Sequence, residues 1–398
     1  MGSAILYLVI SSIVFVLSLI IVYWVHSRYA MDYVLGPAAL PPGPTAPWIS
    51  VVIPARNEAR NIRRCILSLA GQTYPNFELI VVDDRSTDST PEILESLQVE
   101  FEASPRSFPA RLRVIHGTDL PEGWAGKPYA LYQGATAARG DWLCFIDADT
   151  FATPDLLTST FSAARVYHAD MLTIMTRQVL GSFWEKVILP LVFTALSFGF
   201  PARRVNDPEK PDAIANGQFI LIRREVYEFI GGHRAVYDCI AEDKALAEVI
   251  KRSGYRLIVA DGRALAATRM YTSFGEIWEG WTKNIFFGLQ DRPWLLFLGA
   301  FLGLFGALAL PFWLIAGLAW FIAGGGLPAG IVLLQALLVW VFLLFLRALA
   351  ARAFNISPLY AFSLPLGTLI FTAMMFASAY KVLSGKGVTW KGRTYSQS

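Results

Sequence analysis

The residues able to do chemistry in this chain are mostly carboxylates in close pairs. Val81-Val82 runs into Asp83-Asp84, and two adjacent like charges at the end of an apolar run repel unless a ligand or donor offsets them. Asp147-Ala148-Asp149 follows Trp142-Leu143-Cys144-Phe145-Ile146. In extended geometry its two carboxylates share a face, with Ala148 opposite, so both can approach one ion. Few, hard oxygen ligands suit Mg²⁺ or Mn²⁺ carried with a phosphate rather than zinc; a solvated turn is the competing reading. Glu242-Asp243 opens a helical run that stops before Ser253-Gly254. There the pair serves either a reaction or only the helix dipole, which favours first-turn acids by about 0.3–1 kcal/mol. In Gly123-Trp124-Ala125-Gly126-Lys127, a helix begins at the lysine, and dipole and ammonium together favour an anion; a bare loop lysine is the alternative. Arg56, in Pro54-Ala55-Arg56-Asn57-Glu58, is placed to reach a phosphate or base, or is an ordinary surface arginine. Asp88 reads as a plain helix cap.

These groups need elements to hold them, and the pattern around them supplies short β-rich runs alternating with helical ones. Strands are predicted at Ile49 to Pro54, Glu78 to Val82, Arg111 to His116, Trp142 to Ile146 and Met171 to Thr176, with helices near Glu58 to Ala70 and Asp88 to Leu97. Such alternation implies an α/β fold, a mostly parallel sheet with helices on both faces. Ligands of such sheets bind beyond the carboxyl ends of the strands, where the acidic pairs after the second and fourth strands fall.

The 398 residues are 55% hydrophobic and only 16% charged, against a charged share of roughly 25% in soluble domains. Twelve Trp, 15 Tyr and 27 Phe exclude disorder, and a net charge of +3 gives no basis for nucleic acid as a partner. Cys65, Cys144 and Cys239 have neither disulfide-framework nor zinc spacing. The uncharged run Ile5 to Val25 is long enough, at about 1.5 Å per residue, to cross a hydrocarbon core of about 30 Å, and it lacks the features of a cleaved signal. Trp294 to Ala323, Leu327 to Leu346 and Leu359 to Tyr380 are further uncharged stretches, the first carrying Pro311. The expected layout is an anchor at 1–28, a Pro-rich linker at 29–47, an α/β domain at 48–292, a transmembrane region of about three spans at 293–383 and a basic tail at 384–398. Arg347 and Arg352 put the loop between the last two stretches, and with it the α/β domain, in the cytoplasm by the positive-inside rule. The tail, with Lys381, Lys386, Lys391 and Arg393, then falls on the opposite side, against that rule, so the path of the first stretch stays open.

Two segments inside the α/β domain, near 183–201 and 273–290, are apolar enough to lie in a membrane interface. In the second, Trp278, Trp281, Ile285 and Leu289 fall at helical spacing. Ordinary core packing is the alternative for both. If both touch lipid, the cleft opens onto the bilayer and the acceptor is a membrane lipid, with Trp278 and Trp281 beside it.

Taken jointly, the stretches 51–58, 81–88 and 126–131, Asp147-Ala148-Asp149, Asn216-Gly217-Gln218-Phe219 and Glu242-Asp243 resemble a family 2 glycosyltransferase of the inverting GT-A type over roughly residues 48 to 290. Ser182-Phe183-Trp184-Glu185, Val205-Asn206-Asp207-Pro208 and Val388-Thr389-Trp390-Lys391-Gly392-Arg393 are similar to the membrane-bound, lipid-directed subgroup of hopene-associated, carotenoid and ceramide-type enzymes. The resemblance implies an inner-membrane enzyme with a cytoplasmic catalytic domain, a nucleotide-sugar donor, most often a UDP-sugar, and a divalent metal. It implies that Asp83 and Asp84 bind the donor, with Pro54, Arg56 and Glu58 lining the base pocket, and that Lys127 approaches the nucleotide. Asp147 and Asp149 would carry donor ribose and metal, Asp243 would be the general base beside Glu242, and Gly217, Gln218 and Phe219 would shape the acceptor side.

The chain departs from the family in two places. Polymerising members carry Gln-x-x-Arg-Trp near the membrane where this chain reads Ile277-Trp278-Glu279-Gly280-Trp281, which speaks against processive synthesis. The common Asp-Asp-Gly-Ser is here Asp-Asp-Arg-Ser. The expected activity is transfer of a single sugar to a lipid hydroxyl or similar group; the alternatives are a polysaccharide synthase and an inert lipid-binding scaffold.

Overall fold

Strict alternation of burial partners builds the sheet. In β1 (Ile49–Ala55), Val51 and Ile53 face one apolar cluster and Val52 the other, and in β2 (Phe77–Asp83) Leu79 and Val81 oppose Ile80 in the same way. A sheet buried on both faces needs near-continuous apolar strands, and these two supply them. The computed structural model describes residues 31–38, 42–103, 111–288, 293–384, 388–390 and 393–395, with positions 9, 12, 13, 16 and 20.

The chain divides into two compact units, one of Met31–Val179 with Phe200–Met270, the other of Met1–Ala30, Leu180–Gly199 and Tyr271–Ser398. The first is the α/β unit. It adds β3 (Arg111–His116), β4 (Trp142–Phe145), β5 (Thr150–Ala152), β6 (Met171–Met175), β7 (Arg177–Gln178), β8 (Ile220–Arg223), β9 (Leu257–Asp261) and β10 (Ala266–Thr268). The main sheet has the order β3-β2-β1-β4-β8-β6-β9, with β8 antiparallel to both its neighbours and every other pairing parallel. The strand order reverses at β1 and β4, so the crevice beyond their carboxyl ends is the binding position of such a sheet. A small sheet, β5-β10-β7, stands apart from it.

The segment read as a spacer is tied down at its start. Val34 forms a parallel bridge to Asp261, Leu35 N–H donates to Asp261 O at 2.8 Å, and Asp261 N–H donates to Tyr33 O at 2.8 Å. Leu35 is buried. The reason is that β9 is a sheet edge, whose open backbone groups need covering.

In the helical unit, Phe183–Gly199 opens with a capping box: Glu185 N–H donates to Ser182 Oγ at 3.3 Å, and Glu185 Oε2 accepts from Gly181 N–H at 2.7 Å and from Ser182 N–H. Pro190 within this helix has no N–H for Lys186 O, and Arg347 Nη2 donates to that carbonyl at 2.9 Å instead. Arg347 is therefore not the loop charge the sequence suggested. It is buried within the helix Gly326–Ala353, serving a backbone acceptor, which removes half the basis for the side assignment. Pro293–Ile322 is one helix despite Pro311. Gly326–Ala353 and Pro358–Lys381 are long and apolar enough to cross a membrane. Of the anchor at Ile5 to Val25, only Val9, Ser12, Ile13, Val16 and Ile20 are described, all helical and exposed; the rest lies outside the described residues, as do Pro41 of the linker and Leu289. The expected tail contains a hairpin of Val388–Trp390 against Arg393–Tyr395.

Candidate active site

Register brings the first acidic pair to the crevice. Asp83 ends β2 opposite Ala55 of β1 and His116 of β3. Asp83 and Asp84 are both buried; Asp83 Oδ1 accepts from Ser86 N–H at 3.2 Å, and Asp84 N–H donates to Ala55 O at 2.7 Å. The loops after β1 and β2 are laced together: Asn57 N–H donates to Ser86 Oγ at 2.9 Å, Glu58 N–H to Thr90 Oγ1 at 2.8 Å and Ala59 N–H to Asp88 Oδ2 at 3.2 Å. Asp88 Oδ1 also accepts from Thr90 N–H at 3.0 Å. Arg56 Nη1 donates to Asp84 O at 2.7 Å and Arg85 O at 3.2 Å, so its guanidinium braces the wall of the crevice. Pro54, in β1, lies directly before this loop.

Lys127 stands in the first turn of the helix Gly126–Ala137, which approaches β1 at a glycine: a Cβ on Gly134 would lie 2.3 Å from Val52 Cγ1. The lysine Nζ is 2.7 Å from Asp147 Oδ1 and 2.8 Å from Glu242 Oε1. Glu242 and Asp243 form the start of the helix Glu242–Arg252. Asp243 Oδ1 accepts from Lys244 N–H at 2.8 Å and Oδ2 from Gly217 N–H at 2.9 Å. Gly217 belongs to a turn closed by Phe219 N–H donating to Asn216 O at 3.0 Å. A Cβ on Gly217 would lie 3.0 Å from Lys127 Nζ, 3.2 Å from Asp243 Oδ2 and 3.6 Å from Asp147 Oδ2, so a side chain here would crowd the junction. Lys127, Asp147, Gly217, Glu242 and Asp243 thus meet at one point.

The extended arrangement expected for Asp147 and Asp149 is not observed. β4 ends at Phe145, Ile146 N–H still donates to Val52 O at 3.1 Å, and Thr150 N–H then donates back to Asp147 O at 3.0 Å, closing a turn. Both aspartates remain half-buried and Ala148 is buried. Glu58 belongs to the same neighbourhood: burial first, then the charges of Asp149, Glu58 and Asp147, push the Cys65 thiol well above its ordinary range.

Charge is unevenly tuned across the cluster. Burial would pull the Lys127 ammonium down, but Asp147, Glu242 and Asp243 outweigh it and hold it well above the ordinary lysine range. Burial raises Asp147, with Lys127 opposing and Glu242 and Glu58 adding to the rise. Asp243 is pushed up to about 6, by burial and then by Glu242, against Lys127 and the N–H groups of Lys244 and Gly217. A carboxylate so tuned is ionised at neutral pH yet basic enough to accept a proton.

Among the described residues, no group of three or more His, Cys, Asp or Glu side chains is arranged to hold a metal ion. Asp147 and Asp149 are hard oxygen donors in adjoining turn positions, a partial ligand set of the kind that a diphosphate completes around Mg²⁺ or Mn²⁺.

Other expected residues fall elsewhere. Phe219 is wholly buried in the sheet core, driven there by its apolar surface. Gln218 is buried too, its Oε1 accepting from Thr176 Oγ1, from Gln178 Nε2 at 3.0 Å and from Asn216 Nδ2 at 3.3 Å. Trp278 and Trp281 belong to the helix Phe274–Gly288 of the other unit. Trp281 is buried edge-on against Phe193, as the packing alternative has it, and Trp278 is half-buried beside Phe274.

Sequence reasoning missed His233 and Tyr237. His233 is buried, its Nδ1 2.9 Å from Tyr227 Oη and its ring edge-on to Phe145; burial lowers it to about 4, so it is neutral. Tyr237 O accepts from Ala125 N–H at 2.7 Å and its ring meets Trp124, tying the Lys127 turn to the segment before Glu242. The Trp124 in the glycine-bracketed loop was the one available signal.

Comparison with known proteins agrees with this geometry. Residues 50–231 match the family model described as glycosyl transferase family 2. A 4,4'-diaponeurosporenoate glycosyltransferase of Staphylococcus aureus (strain MRSA252) is 28% identical over 356 residues, covering 88% of each chain. The protein of the same name from strain USA300 is 28% identical over 266 residues, 66% of this chain and 67% of its own. The mannosyltransferase PcManGT of Pyrobaculum calidifontis, solved with GDP-Man and Mn²⁺, shares the fold at a TM-score of 0.53 and 21% identity, over 95% of this chain and 98% of its own.

Proposed function

From a chain that carries a family 2 glycosyltransferase domain of GT-A fold, we propose a membrane-bound enzyme that moves one sugar from a nucleotide-diphosphate donor, a UDP-sugar in the first instance, to a carotenoid-like lipid acceptor with inversion at the anomeric carbon. The observation that carries it is the junction of Lys127, Asp147, Glu242, Asp243 and Gly217. Its membrane setting is supported by the helices Gly326–Ala353 and Pro358–Lys381, and its acceptor class by the substrate for which the Staphylococcus aureus relatives are named.

Mechanistically, Asp83, Asp84, Glu58 and the Arg56-braced loop form the donor's nucleoside end, with Pro54 behind them. Lys127 offsets charge on the departing diphosphate. A divalent ion, when bound, would be held by Asp147 and Asp149 and would offset the same charge. Asp243 takes the proton from the acceptor hydroxyl, Gly217 N–H fixes its orientation, and Glu242 keeps its basicity up. A single displacement needs no second carboxylate nucleophile, in contrast to retaining glycosidases.

The test is purified protein in lipid vesicles with Mn²⁺, labelled UDP-sugars and GDP-mannose, and two acceptors: 4,4'-diaponeurosporenoate and the alcohol made by reducing its carboxylate. A lipid carrying one sugar of inverted configuration is the expected product. A ladder of products would point to a polymerising synthase, and no turnover with any donor to an inert scaffold.

A further inference from the structure

Behind the site runs a chain of buried hydroxyls and amides that none of the chemistry above uses. Thr150 Oγ1, in β5, lies 3.0 Å from Thr268 Oγ1, in β10. Thr268 Oγ1 donates to Thr176 Oγ1 at 3.3 Å, and Thr176 Oγ1 donates to Gln218 Oε1. Gln178 Nε2, in β7, donates to Thr176 Oγ1 and Gln218 Oε1, each at 3.0 Å. All five residues are at least nine-tenths buried.

The two ends of this chain matter. Thr150 N–H closes the turn on Asp147 O at 3.0 Å. Gln218 follows Gly217, whose N–H holds Asp243. The small sheet β5-β10-β7 is therefore the piece of structure that joins the acidic turn to the base-holding turn. Thr268 can donate to Thr176 only by accepting from Thr150, so the hydroxyls point one way along the whole chain and each fixes the next. A buried polar network is stable only when every member is satisfied, and such networks hold a single geometry.

We propose that Thr150, Thr268, Thr176 and Gln218 form a positioning relay that fixes the Asn216–Gly217–Gln218 turn, and through it Asp243, relative to the Asp147–Asp149 turn. The proposal rests on the reading of Asp243 as base. Thr268 and Thr176 are positioning residues, acting through Gly217 and touching no substrate.

The experiment uses the full chain in vesicles and compares Thr268→Val, which keeps shape but loses the hydroxyl, with Thr268→Ser, which keeps the hydroxyl. Amide hydrogen exchange over 216–218, read without substrate, should speed up by about tenfold in Thr268→Val and stay at the wild-type rate in Thr268→Ser. With UDP-glucose and the alcohol acceptor, kcat should fall by about tenfold in Thr268→Val while the donor KM stays within about twofold. Thr176→Val against Thr176→Ser tests the same link if Thr268→Val does not fold. Unchanged exchange over 216–218 in the valine variants, or a serine variant as impaired as its valine counterpart, overturns the relay. If instead Asp243→Asn keeps full turnover while the exchange coupling holds, the base assignment fails and the relay stands.

Discussion

The Gly217 N–H donates to Asp243 Oδ2 across 2.9 Å, although the two residues are far apart in sequence. A Cβ there would crowd both the lysine and the aspartate that meet at this point, so each would have to shift by a few tenths of an ångström. Gly217→Ala should therefore lower kcat by about 10–100-fold, since small misplacements of reacting groups have effects of that size. Far-UV circular dichroism should be unchanged. Steady-state kinetics beside the spectrum check it.

Asp243→Asn should reduce transfer to an alcohol by at least about a hundredfold, the usual contribution of a general base, with nucleotide binding by calorimetry little changed. A carboxylate acceptor brings no proton to be removed, so the same variant should lose much less with 4,4'-diaponeurosporenoate than with its alcohol. In the wild type, kcat with the alcohol should fall as pH drops through about 6, where Asp243 takes up its proton.

Stability should run the other way. The folded protein holds the Asp243 carboxyl above its unfolded value, so its contribution is fully present below the unfolded pKa and is lost as pH rises through about 6. Asn does not titrate. Asp243→Asn should be the more stable protein at pH 8, by on the order of 1 kcal/mol, with the gap closing towards pH 4. Thermal melts at the two pH values decide it.

Chelation should remove turnover, and Mn²⁺ or Mg²⁺ should restore it. Asp149→Asn should raise the Mn²⁺ concentration needed for half-maximal rate by about 10–100-fold, the usual loss on weakening a metal site. Turnover that is indifferent to chelator would show that Lys127 alone offsets the leaving charge.

In the helical unit, Arg347→Met strips Lys186 O of its donor and should destabilise the protein by about 1–3 kcal/mol. Pro190→Ala returns a helical N–H to that carbonyl. The double variant Pro190→Ala, Arg347→Met should therefore lose less than the sum of the two single changes. Melting temperatures in detergent, combined as a double-mutant cycle, measure the coupling.

Much of the α/β unit is legible in the sequence because alternation and charge are local signals. Apolar runs such as Val51 to Ile53 and Leu79 to Val82 announce buried strands, and an aspartate directly after such a run announces the strand's end. What joins those ends is not local. Nothing near Lys127 in sequence names Glu242 as its partner, and nothing near Met31 says that β9 has an edge to cover. Phe219 lies two residues beyond Gly217, and the sequence of the turn does not say that its ring goes to the core while the Gly217 backbone faces the site. Arg347 was misjudged because a charge in an apolar run looks like a boundary until the missing N–H of a distant proline is counted. The family's usual glycine after Asp-Asp is intelligible from Arg85, whose φ of 54° lies in the left-handed region.

Pro190 also imposes an order on biosynthesis. The ribosome delivers the proline well over a hundred residues before Arg347, so in the nascent chain the Lys186 carbonyl has neither a helical N–H nor its later guanidinium. The helix Phe183–Gly199 cannot become dry until Gly326–Ala353 has been made. A ribosome stalled between Met270 and Arg347 would hold a chain whose α/β unit is already complete in sequence while that one carbonyl still waits for its cation.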